Sequence, residues 1–234
     1  YGVTEDGYMR NADDLQVTPA TSLNDDALVT QLGLEAVDAL HHAAEDSGLR
    51  VYHYGITVNN PIGRAYYGLY NSLSVLVETR GIGAGTTNFE RRVYSQQLSA
   101  HSMIDYAVAN DDAINEAVSD ARLQVIADGE TFDSDDIVVL HQVASGATQS
   151  ATPLTRYQYS VDGSDTKTSS ATLAINDTVI RSRIRPTAYV IPKDIPNAEK
   201  ILYILDNQGA EYYELAPGST ANLKQYYYVG EYTY

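Results

Sequence analysis

Apolar residues recur every three or four positions between residues 25 and 48, which is the pattern of one face of a helix. The residues that carry this period are Leu28, Val29, Leu32, Ala36, Val37, Leu40, Ala43 and Ala44. Asn24 is the predicted N-cap, Asp25 and Asp26 fall in the first turn, and Gly48 stands just past the end. The pattern therefore predicts a long amphipathic helix here.

Runs rich in Val, Ile, Thr and Tyr predict strands on the C-terminal side of this helix. A second helical pattern follows them, and the polar residues that open the chain lack either period. The predicted elements are a loop over residues 1–24, strands at 51–58 and 72–79, a turn at 59–63, and a helix over about 88–127 with a break near 110–112.

The pattern changes after Gly129 to short strands separated by polar turns. We therefore predict a boundary near residue 130, with residues 1–130 as one domain and 131–234 as a small β-rich, α+β domain. The elements predicted in the second part are strands at 137–143, 155–161, 170–175 and 178–183, an extended piece at 185–192, a helix at 197–207 closed by Gly209, and strands at 212–215 and 226–232.

Composition narrows the classes of function that this chain fits. The formal net charge of −16 argues against nucleic acid or an anionic membrane as a partner, because both bind basic surfaces. The absence of Cys excludes disulfides, thiolate metal sites and a cysteine nucleophile. The apolar runs are too short to span a bilayer. The chain opens at Tyr1 without an initiator Met, so we expect a fragment or a processed product.

One predicted strand ends in charged residues, in the run Val75-Leu76-Val77-Glu78-Thr79-Arg80-Gly81. Alternation along a strand places Leu76, Glu78 and Arg80 on one face, and Val75, Val77 and Thr79 on the other. A carboxylate at the end of an apolar strand needs a partner or a chemical task. Periodicity leaves two interpretations open: an ion pair of Glu78 with Arg80, or a general acid or base at the strand end.

The histidines offer one metal-ligand spacing, His42-Ala43-Ala44-Glu45, on the first predicted helix. Residues at i and i+3 on a helix can share a metal, but histidines near a helix C-terminus are more often solvated. His53 is predicted to be a buried or hydrogen-bonded histidine within its strand. His101 and His141 have no partner at a ligand spacing.

Residues 60–83, which include the Glu78 strand, resemble the final catalytic segment of the zinc carboxypeptidase family, the carboxypeptidase A-like metallopeptidases. Residues 88–94 are similar to the continuation in bacterial members, and residues 185–192 resemble an appended C-terminal region of some bacterial relatives. The resemblance implies an α/β fold: the C-terminal part of a three-layer α/β/α mixed-sheet catalytic domain over 1–130, followed by the small β-rich domain.

The resemblance also implies roles for particular residues. By position, Glu78 would be the general base that takes a proton from a zinc-bound water, and Arg80 would orient it or pair with it. Arg64, Tyr66, Tyr67 and Tyr70 fall where the family builds part of its substrate pocket. Its zinc ligands lie well upstream, so zinc is expected in the full-length protein and none bound by this chain alone.

Two functional hypotheses follow. The first is peptide hydrolysis by a zinc metallocarboxypeptidase-like enzyme, of which this chain supplies part of the site and is inactive alone. Its expected partners are a peptide substrate and either the missing N-terminal catalytic segment or a second copy, and its expected location is secreted or periplasmic. The second is a non-catalytic binding or assembly module attached to a degenerate peptidase remnant, in which Glu78 is structural.

Overall fold

The computed structural model describes residues 2–3, 5–10, 14–53, 62–81, 86, 88–148, 154–160, 165–171, 174–216 and 218. Its chain divides into two compact units, Tyr1–Ala188 and Tyr189–Tyr234. The domain boundary expected near residue 130 stays a prediction, because a division into compact units does not test where functional domains begin.

Strands and helices alternate from the third strand to the third helix among the described elements. In chain order they are β1 (Gly2–Val3), β2 (Tyr8–Arg10), β3 (Leu15–Pro19), α1 (Ala27–Asp46), β4 (Val51–His53), α2 (Gly63–Gly68), β5 (Val75–Thr79), α3 (Phe89–Ala109), α4 (Asp111–Glu130), β6 (Ile137–Thr148), β7 (Leu154–Ser160), β8 (Thr166–Ala171), β9 (Ala174–Ile184) and α5 (Ala198–Asn207).

A three-stranded mixed sheet in the order β4-β3-β5 lies at the centre of the first unit. Strand β3 pairs in parallel with β4, and α1 makes the crossover between them. Strand β5 pairs with β3 in the antiparallel direction, with Gln16 opposite Glu78 and Val17 opposite Val77. The α/β fold class expected from the sequence is thus confirmed.

The hydrophobic core forms on the face of this sheet that α1 covers. It contains Leu15, Val17, Val37, Leu40, Ala44, Leu49 and Val51, with Val75, Val77, Leu98 and Met103 packed against it. Because side chains alternate along a strand, the intervening residues of β3 and β5 lie on the other face. The predicted division of Val75 and Val77 from Glu78 is therefore confirmed.

Helix α1 begins where a side chain can satisfy its first free N–H groups. The carboxylate of Asp26 accepts hydrogen bonds from the backbone N–H groups of Leu28 and Val29, so the N-cap is Asp26 and the prediction of Asn24 was wrong. Gly48, at φ +75°, follows the end of the helix as predicted. The Asn24 side chain instead bonds the backbone N–H and C=O of Val139 on β6.

Two further sheets complete the first unit. One has the strand order β1-β2-β7-β8, and the other pairs β6 with β9. The predicted break in the second long helix is confirmed, because α3 ends at Ala109 and α4 begins at Asp111. No helix in the part of the chain described here has the length and hydropathy to cross a bilayer.

Several predicted elements differ from the structure. Residues 1–24 are not one loop, since they include β1, β2 and the central strand β3. Residues 212–215 form no strand. Most of the strand predicted at 51–58 and all of that at 226–232 lie outside the described residues.

The second unit contains the amphipathic helix α5, which is followed by Gly209 at φ +68° as predicted. Within this unit the carboxylate of Glu214 accepts a hydrogen bond from Lys193, and Tyr212 donates to Asp206.

Candidate functional site

The face of the central sheet that points away from the hydrophobic core carries polar side chains although most of them are buried. Gln16 on β3 lies between Tyr52 on β4 and Glu78 on β5, and this row crosses all three strands. Gln16 and Tyr52 are 4% and 6% exposed, whereas Glu78 is partly buried. Buried polar groups are costly unless they are bonded, so a polar row at this depth is the first candidate for a functional surface.

Glu78 lies near the carboxyl end of β5, as the sequence predicted. Because β5 is antiparallel to β3, the neighbouring strands present their amino ends at this edge of the sheet. His53, at the carboxyl end of β4, therefore lies toward the opposite edge. The carboxyl ends of the three strands do not converge on one point, in contrast to the usual site of a parallel α/β sheet.

A cluster of three arginines surrounds one buried carboxylate beside the Glu78 strand end. Asp14, only 4% exposed, accepts hydrogen bonds from Arg50 Nε at 2.9 Å, from Arg50 Nη2 at 2.8 Å and from Arg91 Nη1. Arg80 Nη2 lies 3.9 Å from the same carboxylate. We call Asp14, Arg50, Arg80 and Arg91 the Asp14 cluster.

Backbone bonds anchor the same cluster to the strands. The N–H of Asp14 donates to the carbonyl of Arg50, and the N–H of Arg80 donates to the carbonyl of Asp14. Arg91 Nη2 donates to the carbonyl of Arg80 at 3.1 Å. The cluster thus joins the start of β3, the start of β4, the end of β5 and the first turn of α3.

The charges of the cluster keep Asp14 ionised. Burial alone would raise the pKa of Asp14, but the hydrogen bonds from Arg50 and the charges of Arg50 and Arg91 outweigh it and lower that pKa below its ordinary value. The cluster itself contains one carboxylate and three guanidinium groups.

Gly81 lets the chain leave β5 closely packed against α3. A Cβ at this position would lie 2.8 Å from Cδ and 2.9 Å from Nη1 of Arg92, which is closer than side chains normally approach. The Arg92 guanidinium also lies 5.6 Å from the centre of the Phe89 ring. Gly81 therefore permits the close approach of the Arg92 side chain.

The predicted substrate-binding residues on α2 and just after it fall into two groups. Arg64 is 7% exposed and donates from Nη1 to Thr18 Oγ1 at 2.9 Å, on the polar face of the sheet. Tyr66, Tyr67 and Tyr70 are between 40% and 59% exposed, and the hydroxyls of Tyr66 and Tyr70 lie 3.2 Å apart. Arg64 is therefore held within the fold, whereas the tyrosines are open to solvent.

A buried carboxyl lies near α2, at the carboxyl end of β3. Asp25 Oδ2 accepts a hydrogen bond from the backbone N–H of Ser22 at 3.0 Å. Burial raises the pKa of Asp25 to about 6, and that one bond only partly offsets the effect. Gly68 packs directly against this group, since a Cβ on it would lie 2.9 Å from Asp25 Oδ2.

The histidines do not form a metal site in the part of the chain that is described. His42 and Glu45 are both exposed on α1, and Glu45 lies 3.2 Å from His41 Nε2. His53 is 5% exposed, as expected of a buried histidine, and its ring centre lies 5.0 Å from that of His41. Among the described residues no group of three or more His, Asp and Glu could hold a metal ion. These residues therefore do not fit the zinc that the resemblance implies.

The sequence did not point to Asp14, Gln16 or Thr18 as site residues, because the segment that contains them was predicted as a loop. The signal was present in the alternation of Leu15, Val17 and Pro19 with Gln16 and Thr18. It was weak because the strand has five residues and two of its polar side chains are buried.

The fold and the polar face define a mixed α/β protein in which the row of Tyr52, Gln16 and Glu78 crosses the three-stranded sheet. Part of the chain is similar to fungal carboxypeptidases. It is 31% identical over 144 residues to "Probable carboxypeptidase 2" of Trichophyton verrucosum (strain HKI 0517), which is 61% of this chain and 26% of that protein. It is 29% identical over 147 residues to "Carboxypeptidase 2" of Trichophyton tonsurans, which is 61% of this chain and 25% of that protein.

The chain spans about a quarter of the length of these curated relatives. No family model matches it, and no solved structure matches it. The similarity supports a carboxypeptidase-like relationship at a coarse level. These relatives are fungal, so the expected closeness to bacterial members stays a prediction.

Proposed function

We propose that this chain is the C-terminal part of a zinc-dependent metallocarboxypeptidase-like peptidase, with Glu78 as its general base. The observation that carries the proposal is the position of Glu78: a partly buried carboxylate near the end of β5, on a polar sheet face, in a chain similar to proteins named carboxypeptidase. Those names favour peptide hydrolysis over the alternative of a non-catalytic binding module.

In this mechanism Glu78 removes a proton from the water that attacks the peptide carbonyl carbon. As the new C–O bond replaces the C–N bond, Glu78 returns that proton to the leaving amine. Positioned general bases of this kind contribute about 10²- to 10⁴-fold to the rate. The Asp14 cluster fixes the backbone on both sides of β3 and the end of β5, which limits the movement of Glu78.

Zinc, when bound, would supply a Lewis acid that lowers the pKa of the attacking water. Because the described residues do not fit a zinc site, we propose that its ligands come from the part of the full-length protein upstream of this chain. Tyr66, Tyr67 and Tyr70 are proposed to contact the peptide, since they are the exposed members of the predicted pocket. Arg80 is proposed to orient Glu78 or to pair with it, and Arg64 is proposed to form part of the substrate pocket from its buried position.

The proposed partners are a peptide substrate and either the N-terminal catalytic segment or a second copy of the chain. Neither nucleic acid nor a membrane is proposed, in view of the acidic charge. Secretion or a periplasmic location is part of the same proposal and rests on the acidic, cysteine-free composition and the trailing β-rich part of a peptidase-like chain.

Replacement of Glu78 by Gln in the full-length protein tests the assignment. It keeps the shape of the side chain and removes the base, so we expect kcat to fall by about 10²-fold or more. The measurement is hydrolysis of a C-terminally blocked and an unblocked peptide series. A Glu78→Gln protein with wild-type kcat would overturn the proposal.

Glu45→Gln is the matched control, because Glu45 is an exposed glutamate of the only His-x-x-Glu sequence in the chain. We expect it to leave both activity and zinc content unchanged. If Glu45→Gln instead removed zinc and activity together, the metal site would lie on α1 and the proposed source of the ligands would be wrong.

A further inference from the structure

In the polar row of Tyr52, Gln16 and Glu78, the Gln16 amide carries a buried donor that has no hydrogen-bond partner among the described residues. Gln16 lies directly opposite Glu78 on one side and Tyr52 on the other. Cross-strand neighbours on one face have their Cβ atoms about 5 Å apart, so the Gln16 amide and the Glu78 carboxylate share one small space.

Gln16 Nε2 is buried and has no hydrogen-bond partner within the described part of the chain. A buried donor without a partner costs about 1–3 kcal/mol, and native folds rarely keep one without a reason. The hydrophobic core does not require Gln at this position, because Leu15 and Val17 make the core contacts of β3 on the other face of the sheet.

Gln142 shows what a purely structural buried glutamine looks like in this chain. It is 3% exposed, and its amide accepts from the N–H of Leu23 at 2.8 Å and donates to the carbonyl of Thr21 at 3.1 Å. Its burial matches that of Gln16, yet both ends of its amide are bonded. The two residues therefore differ in the use of the amide rather than in depth.

The chemistry of the neighbouring groups limits the class of ligand that could bind at Gln16. An N–H donor cannot ligate a cation, so the missing partner is an oxygen acceptor. The Arg64 guanidinium, bonded to Thr18 on the same face, favours an acceptor that carries partial negative charge. Glu78 is only partly buried, so it is the member of the row that is most open to solvent, and the Gln16 amide is enclosed beside it.

We propose that the Gln16 side-chain amide binds a carbonyl oxygen of the peptide substrate next to Glu78. This inference rests on the proposed peptidase function and adds a substrate-binding residue to it. The N–H of Gln16 holds the carbonyl while Glu78 acts on the water, so the bond gains strength as negative charge develops on that oxygen.

Two substitutions of equal size in the full-length protein test this assignment by kinetics. Gln16→Met removes the donor, so we expect kcat/KM to fall by about 10- to 100-fold, mainly in kcat, with a melting temperature no lower than that of the wild type. Gln142→Met removes two bonds, so we expect a lower melting temperature and an unchanged kcat. Unchanged kinetics in Gln16→Met would overturn the inference, even if Glu78→Gln abolished activity and so upheld the proposed function.

A second measurement does not depend on turnover. In a ¹⁵N spectrum of the glutamine side-chain amides, the signal absent from Gln16→Met is that of Gln16. We expect an N-acetylated dipeptide to shift this signal in a saturable way and to leave that of Gln142 in place. A shift in a protein that hydrolyses no peptide would refute the proposed function but retain the binding site. If the dipeptide leaves the Gln16 amide signal in place, the inference is overturned. The same holds if only the Glu78→Gln substitution shifts this signal, because Gln16 would then be a structural partner of Glu78.

Discussion

Three ionisable side chains, of which Asp14 and His53 are buried and Asp25 is partly buried, have shifted pKa values for different reasons. Asp14 is ionised because arginines surround it, and its pKa is lowered. Burial, together with the nearby His41, lowers the pKa of His53 to about 4, so this ring is neutral near neutral pH. Asp25 accepts a hydrogen bond from the backbone N–H of Ser22, but burial outweighs it and raises the pKa of Asp25 to about 6. Each of these shifts makes the stability of the fold depend on pH.

His53 gives the clearest pH dependence. Its pKa in the folded state lies below its ordinary value of about 6.5, so its contribution to stability is complete above that pH and is lost as the pH falls toward 4. We expect this loss to reach about 3 kcal/mol in the free energy of unfolding. A His53→Phe variant should not show this decrease in the free energy of unfolding when urea unfolding is measured between about pH 6.5 and pH 4.

The comparison must be made between wild type and variant at the same pH, because Asp25 acts in the opposite direction. Its raised pKa means that its contribution is present below about pH 4 and is lost as the pH rises through 6. A wild type and a His53→Phe variant that depend equally on pH in the acid range would contradict the assignment of a neutral, buried His53.

At the scale of elements, the Asp14 cluster connects four pieces of secondary structure that are far apart in sequence. Its ion pairs differ from surface pairs because the carboxylate is buried and is shared by several donors. The same cluster lies at the end of β5, beside Glu78, so the geometry of the candidate site depends on it.

An Asp14→Asn variant is therefore expected to lose about 3 kcal/mol of unfolding free energy, because three guanidinium groups remain close together without the central charge. Chemical denaturation at neutral pH measures this. Glu214→Gln is the control, since it breaks an ion pair whose two side chains are 71% and 76% exposed, and no change is expected there. Equal effects of the two substitutions would show that the Asp14 cluster adds no more than a surface pair.

At the scale of the whole molecule, large apolar side chains remain exposed on α3 and α4. They include Ile104, Val108, Leu123 and Ile126, which are between 58% and 72% exposed. Apolar surface of this kind on neighbouring helices is typical of a surface that another segment or subunit covers.

We therefore expect the isolated chain to self-associate, and a Val108→Lys, Leu123→Lys double variant to be more nearly monomeric. Sedimentation velocity over a range of protein concentrations measures this. Ser119→Lys, at an exposed polar position of α4, controls for added charge. A wild-type chain that remains monomeric at all concentrations would argue against a covering partner on this surface.

Much of the element pattern was predictable from sequence, and the exceptions have physical causes. The extents of α1, α5 and the α3–α4 pair follow from apolar periodicity and end signals such as Gly48 and Gly209. Strand β3 was not predicted because it has only five residues, and its polar side chains alternate with apolar ones. Such a short segment is recognised as a strand only when the sheet that buries both of its faces is known. The cap of α1 moved to Asp26 because Asn24 bonds Val139, which is distant in sequence.

The sequence by itself determined the alternation of Glu78 with its apolar neighbours, the helical faces and the acidic, cysteine-free composition, because these depend on local periodicity and residue chemistry. Only the tertiary structure determined which residues lie close to Glu78. Gln16, Asp14 and Arg50 come to that strand end through the pairing of β3 with β4 and β5, which local sequence does not encode. The partners of a buried polar side chain are fixed by strand register and burial, and these exist only in the folded chain.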